Sequence, residues 1–129
     1  MSAITAARSM RSAFVAVALV LLAFGNALAT SSMSFEAQGY LVDIVVGGDR
    51  RPTVAGLSFS APGSQLTVEI PLRHVRTEAF DTNLRLLRLR FTNPGDAKLP
   101  KDFSLTVRND AGVLRIEGKA FGGRFSWGQ

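Results

Sequence analysis

The 129-residue sequence contains no cysteine, one histidine, one tryptophan and one tyrosine. Without cysteine there is no disulfide, no thiolate nucleophile and no sulfur ligand for a metal. Small secreted eukaryotic domains usually rely on disulfides, so that class is disfavoured. No Asn-x-Ser/Thr acceptor occurs, and HExxH, GxSxG, a phosphate-binding loop and EF-hand spacing are all missing. A lone histidine, His74, offers little for proton transfer or metal binding. The carboxylates are scattered singly. Asp81, Asp96, Asp102 and Asp110 lie in or beside turn sequences, where Asp hydrogen-bonds backbone N–H groups. The expectation is a protein that is not an enzyme and carries no metal or cofactor.

Long apolar runs are also scarce, with one exception. Ala13 to Phe24 (AFVAVALVLLAF) follows Arg8 and Arg11 and is broken by Gly25-Asn26. Ala27-Leu28-Ala29 then supplies the small residues of a cleavage site. The run is well short of the roughly 20 residues that span a bilayer. It reads as a secretory signal peptide, residues 1–29, cleaved after Ala29. With no cysteine after that site, lipoprotein anchoring is excluded, and Arg8 and Arg11 are not adjacent as a twin-arginine signal requires. Residues 30–129 then form a single domain with thirteen Lys+Arg against ten Asp+Glu, a net charge of +3. A nucleic-acid partner would call for a denser basic field with stacking aromatics. Twelve arginines against three lysines fit a GC-rich bacterial genome. With the missing cysteines, they favour a periplasmic location.

What the rest of the chain has in abundance is period-2 alternation. In QLTVEIPL, Leu66, Val68, Ile70 and Leu72 share one parity, and Pro71 marks an edge or strand end. In DFSLTVR, Phe103, Leu105 and Val107 face inward. After the turn Asn109 to Gly112, VLRIEGKA places Leu114, Ile116, Gly118 and Ala120 on one face and Arg115, Glu117 and Lys119 on the other. SFEAQGYLVDIVV is one long strand or two short ones meeting near Gly39. TVAGLSFS turns Ala55, Leu57 and Phe59 inward, and RFSW closes the chain. Loops or turns are expected at Gly47–Pro52, Ala61–Ser64 and Thr92–Asp96. This spacing predicts an all-β fold, a single antiparallel β-sandwich or a small β-barrel of seven or eight strands.

The stretch Asn83 to Phe91, NLRLLRLRF, admits a second conformation. As a helix it would put Leu86 and Leu89 opposite the Phe80–Leu84–Leu87–Phe91 stripe, a poor amphipathic face. As a strand with a bulge at Leu86-Leu87, it turns Leu84, Leu86/Leu87, Leu89 and Phe91 one way and Arg85, Arg88 and Arg90 the other. The strand is the better reading.

Two groups of side chains are candidate binding residues. His74 carries the parity of Ile70 and Leu72 and ends an inward row. Tyr40 and Trp127 pair an apolar body with a polar tip. Arg73, Arg76, Arg85, Arg88 and Arg90 would share an outer face suited to an anionic envelope surface. The simpler roles are a rim histidine, a tryptophan that seals one end of the core, and a solvated arginine face that blocks edge pairing.

VEIPLRHVRT followed by Asp81-Thr82-Asn83-Leu84-Arg85 resembles a shortened form of a run found in the bacterial periplasmic polyisoprenoid-binding, lipocalin-like β-barrel family. VAGLSFSAPGSQLTVEI is similar in its strand–turn–strand layout. The interval from Thr77 to Leu84 is shorter than in that family, and Phe80 stands where an arginine precedes the aspartate. The resemblance implies a barrel holding a long apolar or lipid ligand. The alternative is a structural or protein-interaction domain that acts through its arginine-rich face and has no ligand cavity.

Overall fold

The structure, a computed structural model, describes residues 31–48 and 50–128. The expected signal segment lies outside the described residues. Those residues form nine strands and no α-helix: β1 Ser31–Ala37, β2 Tyr40–Gly47, β3 Thr53–Ser60, β4 Val68–Glu69, β5 Val75–Asp81, β6 Leu86–Phe91, β7 Phe103–Arg108, β8 Ala111–Ile116 and β9 Lys119–Ser126. Among them, no helix is long and apolar enough to cross a membrane.

Turn chemistry sets several of the boundaries. Gln38–Gly39 and Glu117–Gly118 are two-residue hairpin turns with positive φ throughout, 48° and 91° in the first and 52° and 75° in the second. Such turns match the right-handed twist of the strands they join. VLRIEGKA is therefore split between β8 and β9 and is not one strand, and Ala120 faces outward. The divided SFEAQGYLVDIVV is the two-strand alternative.

The strands make one antiparallel sheet in the order β4-β3-β2-β1-β9-β8-β7-β6-β5. A flat sheet of nine strands would be about 38 Å wide at ~4.8 Å per strand. Yet its two edge strands are joined by residues 70–74 alone, a link that reaches at most about 20 Å. The sheet therefore has to curl, and it forms a half-barrel in place of a two-sheet sandwich. Parity decides how the two edges are connected. Eight successive antiparallel pairings leave β4 and β5 running in the same direction, so no hairpin can join them. Instead Pro71 and the 3₁₀ turn Leu72–His74 carry the chain onward from one edge to the other.

The concave face holds the core. Met33, Phe35, Val42, Ile44, Leu57, Phe59, Leu87, Leu89, Phe91, Phe103, Leu105, Val107, Leu114, Ile116 and Phe125 are all buried. Phe59 of β3 stacks on Phe103 of β7 at 5.1 Å, although four strands separate them in the sheet.

Several facings differ from the alternation. β4 is only two residues long. Ile70 is buried, but Leu66 is 75% exposed and Leu72 39%. The link to β5 takes the backbone out of the sheet at Pro71, which ends the alternation there. A register shift against Val45/Val46 places Ala55 in a bulge, so Val54 and not Ala55 packs on the core. In Asn83–Phe91 the strand is present without the expected bulge. β6 starts at Leu86, which faces outward and is half-buried, while Leu84 is 69% exposed and Arg85 sits in the preceding turn at φ 52°. The carboxylate of Asp81 builds that turn by accepting from the N–H groups of Asn83 (2.9 Å) and Leu84 (3.0 Å). The bulge lies across the hairpin, in β5 between Thr77 and Ala79.

Candidate functional site

The strand register fixes which side chains share the convex surface. Across the sheet from β5 to β9 run two outward rows, Arg76–Arg90–Ser104–Arg115–Ala120 and Ala79–Arg88–Thr106–Val113–Gly122. A third runs Leu86–Arg108–Ala111–Arg124 and continues onto Glu36 of β1. The outward positions of β6 to β9 thus carry Arg88, Arg90, Arg108, Arg115 and Arg124, all exposed, and no carboxylate. The outward positions of β1 to β4 carry Glu36, Asp43 and Glu69 and no lysine or arginine. The two walls meet where Glu36 lies opposite Arg124.

Two ion pairs occur among the described residues. Arg90 Nε lies 3.8 Å from Glu78 Oε1, and Arg85 Nη1 lies 3.5 Å from Asp110 Oδ1. Both are solvent-exposed and contribute little to stability. They place Arg90 beside the β5 bulge and Arg85 beside the β7–β8 turn, away from the wall. Of the five arginines expected to share a face, Arg76, Arg88 and Arg90 do so. Arg73 sits on the 3₁₀ turn and Arg85 in the β5–β6 turn. Arg108, Arg115 and Arg124 complete the surface. Their parity is visible in sequence, but the neighbour relations of β6 to β9 come only from the pairing.

His74, Tyr40 and Trp127 do not converge. His74 is half-buried on the 3₁₀ turn, its N–H bonded to Pro71 O and its carbonyl to Thr92 N, each at 3.1 Å. Tyr40 opens β2 and packs on Phe121 at 4.8 Å and Phe59 at 5.9 Å. It lines an open apolar cleft of about 260 Å³ with Phe59, Leu66, Val68 and Leu99, rimmed by Lys98 and Lys101. Trp127 is at the opposite end of the half-barrel. Its indole N–H donates to Asn109 O at 2.6 Å and its ring meets Phe125 edge-on at 4.8 Å, so it seals that end of the core. An open groove of about 1070 Å³ runs past it, between Arg85, Arg108 and Arg124.

Of the other turn aspartates, Asp96 and Asp102 act on backbone, while the Asp110 carboxylate pairs with Arg85. Asp96 accepts from Lys98 N at 2.9 Å and Asp102 from Asn93 N at 2.7 Å. Among the described residues no group of three His, Cys, Asp or Glu side chains comes together in a way that could hold a metal ion. Comparison of the chain with protein-family models, curated proteins and solved structures gives no match.

Proposed function

We propose that the chain is an exported, non-enzymatic binding domain that works through its outer surface and does not hold a ligand inside the half-barrel. The observation that supports this reading is the filled concave face. Phe59 stacks on Phe103 at 5.1 Å, Phe91 packs tilted against Phe103 at 5.3 Å, and the Phe35 ring lies 2.8 Å from where a Cβ on Gly112 would be. A drug-sized ligand needs a pocket of roughly 300–1,000 Å³ with most of its surface covered. The concave face offers side chains in that place.

Native mass spectrometry of the protein purified from its own host tests this. The expected mass is that of the bare polypeptide, with an N-terminus at Thr30. A stoichiometric co-purifying lipid would favour the interior-ligand alternative implied by the polyisoprenoid-binding resemblance. Recovery of the full-length chain from the inner membrane would remove the export step.

A further inference from the structure

We propose that the arginine wall of β6 to β9 is a docking face for an anionic phospholipid surface, an inference that rests on the outer-surface reading and names its partner. Soluble domains usually intersperse charges of both signs. Here they are segregated by strand, with five arginines and no carboxylate on one wall and three carboxylates and no lysine or arginine on the other. A one-sided field of this kind orients a molecule at a charged plane, with the acidic wall turned away.

The floor between the arginines selects the kind of plane. It is built from Ser104, Thr106, Val113, Ala120 and Gly122, which are small. No aromatic side chain stands among them, and Trp127, at the Arg108–Arg124 end, is held edge-on to Phe125 with its indole N–H given to Asn109 O, so the floor itself offers nucleobases nothing to stack on. Leu86, half-buried at the margin beside Arg108, and Val113 are isolated from one another and do not form the clustered aromatic or apolar anchor around which protein–protein affinity concentrates. What remains is a shallow field of guanidinium groups, of which all but the Glu78-paired Arg90 are able to engage phosphate oxygens in a bidentate manner. That suits an array of phosphodiester headgroups better than a single recessed ligand. A second copy of the chain, presenting its acidic wall, is the competing occupant.

The test is co-sedimentation of the exported form with phosphatidylcholine vesicles, with and without phosphatidylglycerol. The protein is expected to sediment only with phosphatidylglycerol, and less as salt is raised. Arg88→Gln with Arg115→Gln should weaken partitioning about 25-fold, from about fivefold per charge. Arg88→Lys with Arg115→Lys should bind more tightly than the glutamine pair and less tightly than wild type, because charge is kept and the bidentate contact is lost, with unchanged melting curves as the folding control. Neutralising the other wall, Glu36→Gln with Asp43→Asn and Glu69→Gln, should leave partitioning unchanged or tighter. Sedimentation of the glutamine variant equal to wild type, or no preference for phosphatidylglycerol at low salt, overturns the proposal. A dimer in ultracentrifugation that the acidic-wall variant abolishes, with no vesicle binding, also overturns it and identifies the second copy as occupant. Failed vesicle binding by a polypeptide of bare mass refutes the partner and leaves the outer-surface reading standing.

Discussion

Arg88 and Leu89 are adjacent in sequence and opposite in environment. Leu89 is fully buried in the core, and Arg88 stands on the convex surface among small residues. Replacing Leu89 with Ala should cost roughly 2–5 kcal/mol, the transfer term plus the cavity left behind. Arg88→Gln should stay within about 0.5 kcal/mol, as exposed substitutions usually do. Urea denaturation of the two variants checks the facing, since a costly Arg88 change with a silent Leu89 change would invert it. Gly112 makes the same point from the other side. A Cβ there would meet the Phe35 ring at 2.8 Å, and Phe35 is fully buried with no room to turn aside. Gly112→Ala should therefore lose about 1–3 kcal/mol by overpacking, read as a lower denaturation midpoint.

At the scale of the element, alternation picked out β1, β2, β3, β6, β7 and β8, but it ran β8 into β9 and did not separate β5 from the strand before it, so nine strands stand where seven or eight were expected. β7 and β6 follow it closely, with Phe103, Leu105, Val107, Leu87, Leu89 and Phe91 all buried. It failed where the backbone leaves the sheet or takes in an extra residue. Pro71 ends β4 after two residues, the bulge beside Val54 reverses parity at Ala55, and the Asp81-capped turn absorbs Leu84 and Arg85. None of these breaks is written in hydrophobicity, because each is set by hydrogen bonds to a neighbouring strand or turn. The arginine wall was half legible for the same reason. Parity shows that Arg115 faces away from Leu114, but only pairing puts Arg115 two strands from Arg90. Turn chemistry gives this scale its prediction. Glu117 occupies the first position of the β8–β9 turn at φ 52°, a region that disfavours side chains other than Asn and Asp. Glu117→Asn should raise stability by about 0.5–1 kcal/mol. Thermal melting checks it, and an unchanged or lower midpoint would mean that Glu117 makes a compensating contact.

For the whole molecule, the strand order has a consequence for how the chain finds its shape. Every strand pair joins immediate neighbours in sequence except β1 with β9, whose paired residues Ser34 and Ser126 are about 90 positions apart. Bringing such distant segments together costs roughly 4 kcal/mol of loop-closure entropy. The cost falls on a single seam, in the middle of the sheet. Gly128 lies against Ser32, while the link between the two edge strands is exposed at Leu72 and Arg73. A circular permutant that joins Gly128 to Ser31 through a short linker and opens between Leu72 and Arg73 would read β5 to β9 and then β1 to β4. Its sequence order would equal its sheet order, every pairing would be local, and its contact order would fall. Such chains fold faster. Stopped-flow refolding followed by the fluorescence of Trp127, the only tryptophan, should show the permutant's folding limb raised about tenfold or more while unfolding changes less. Equal refolding rates would mean that the β1–β9 seam forms after the barrier. A raised rate would make that seam the event that decides when the native protein is folded.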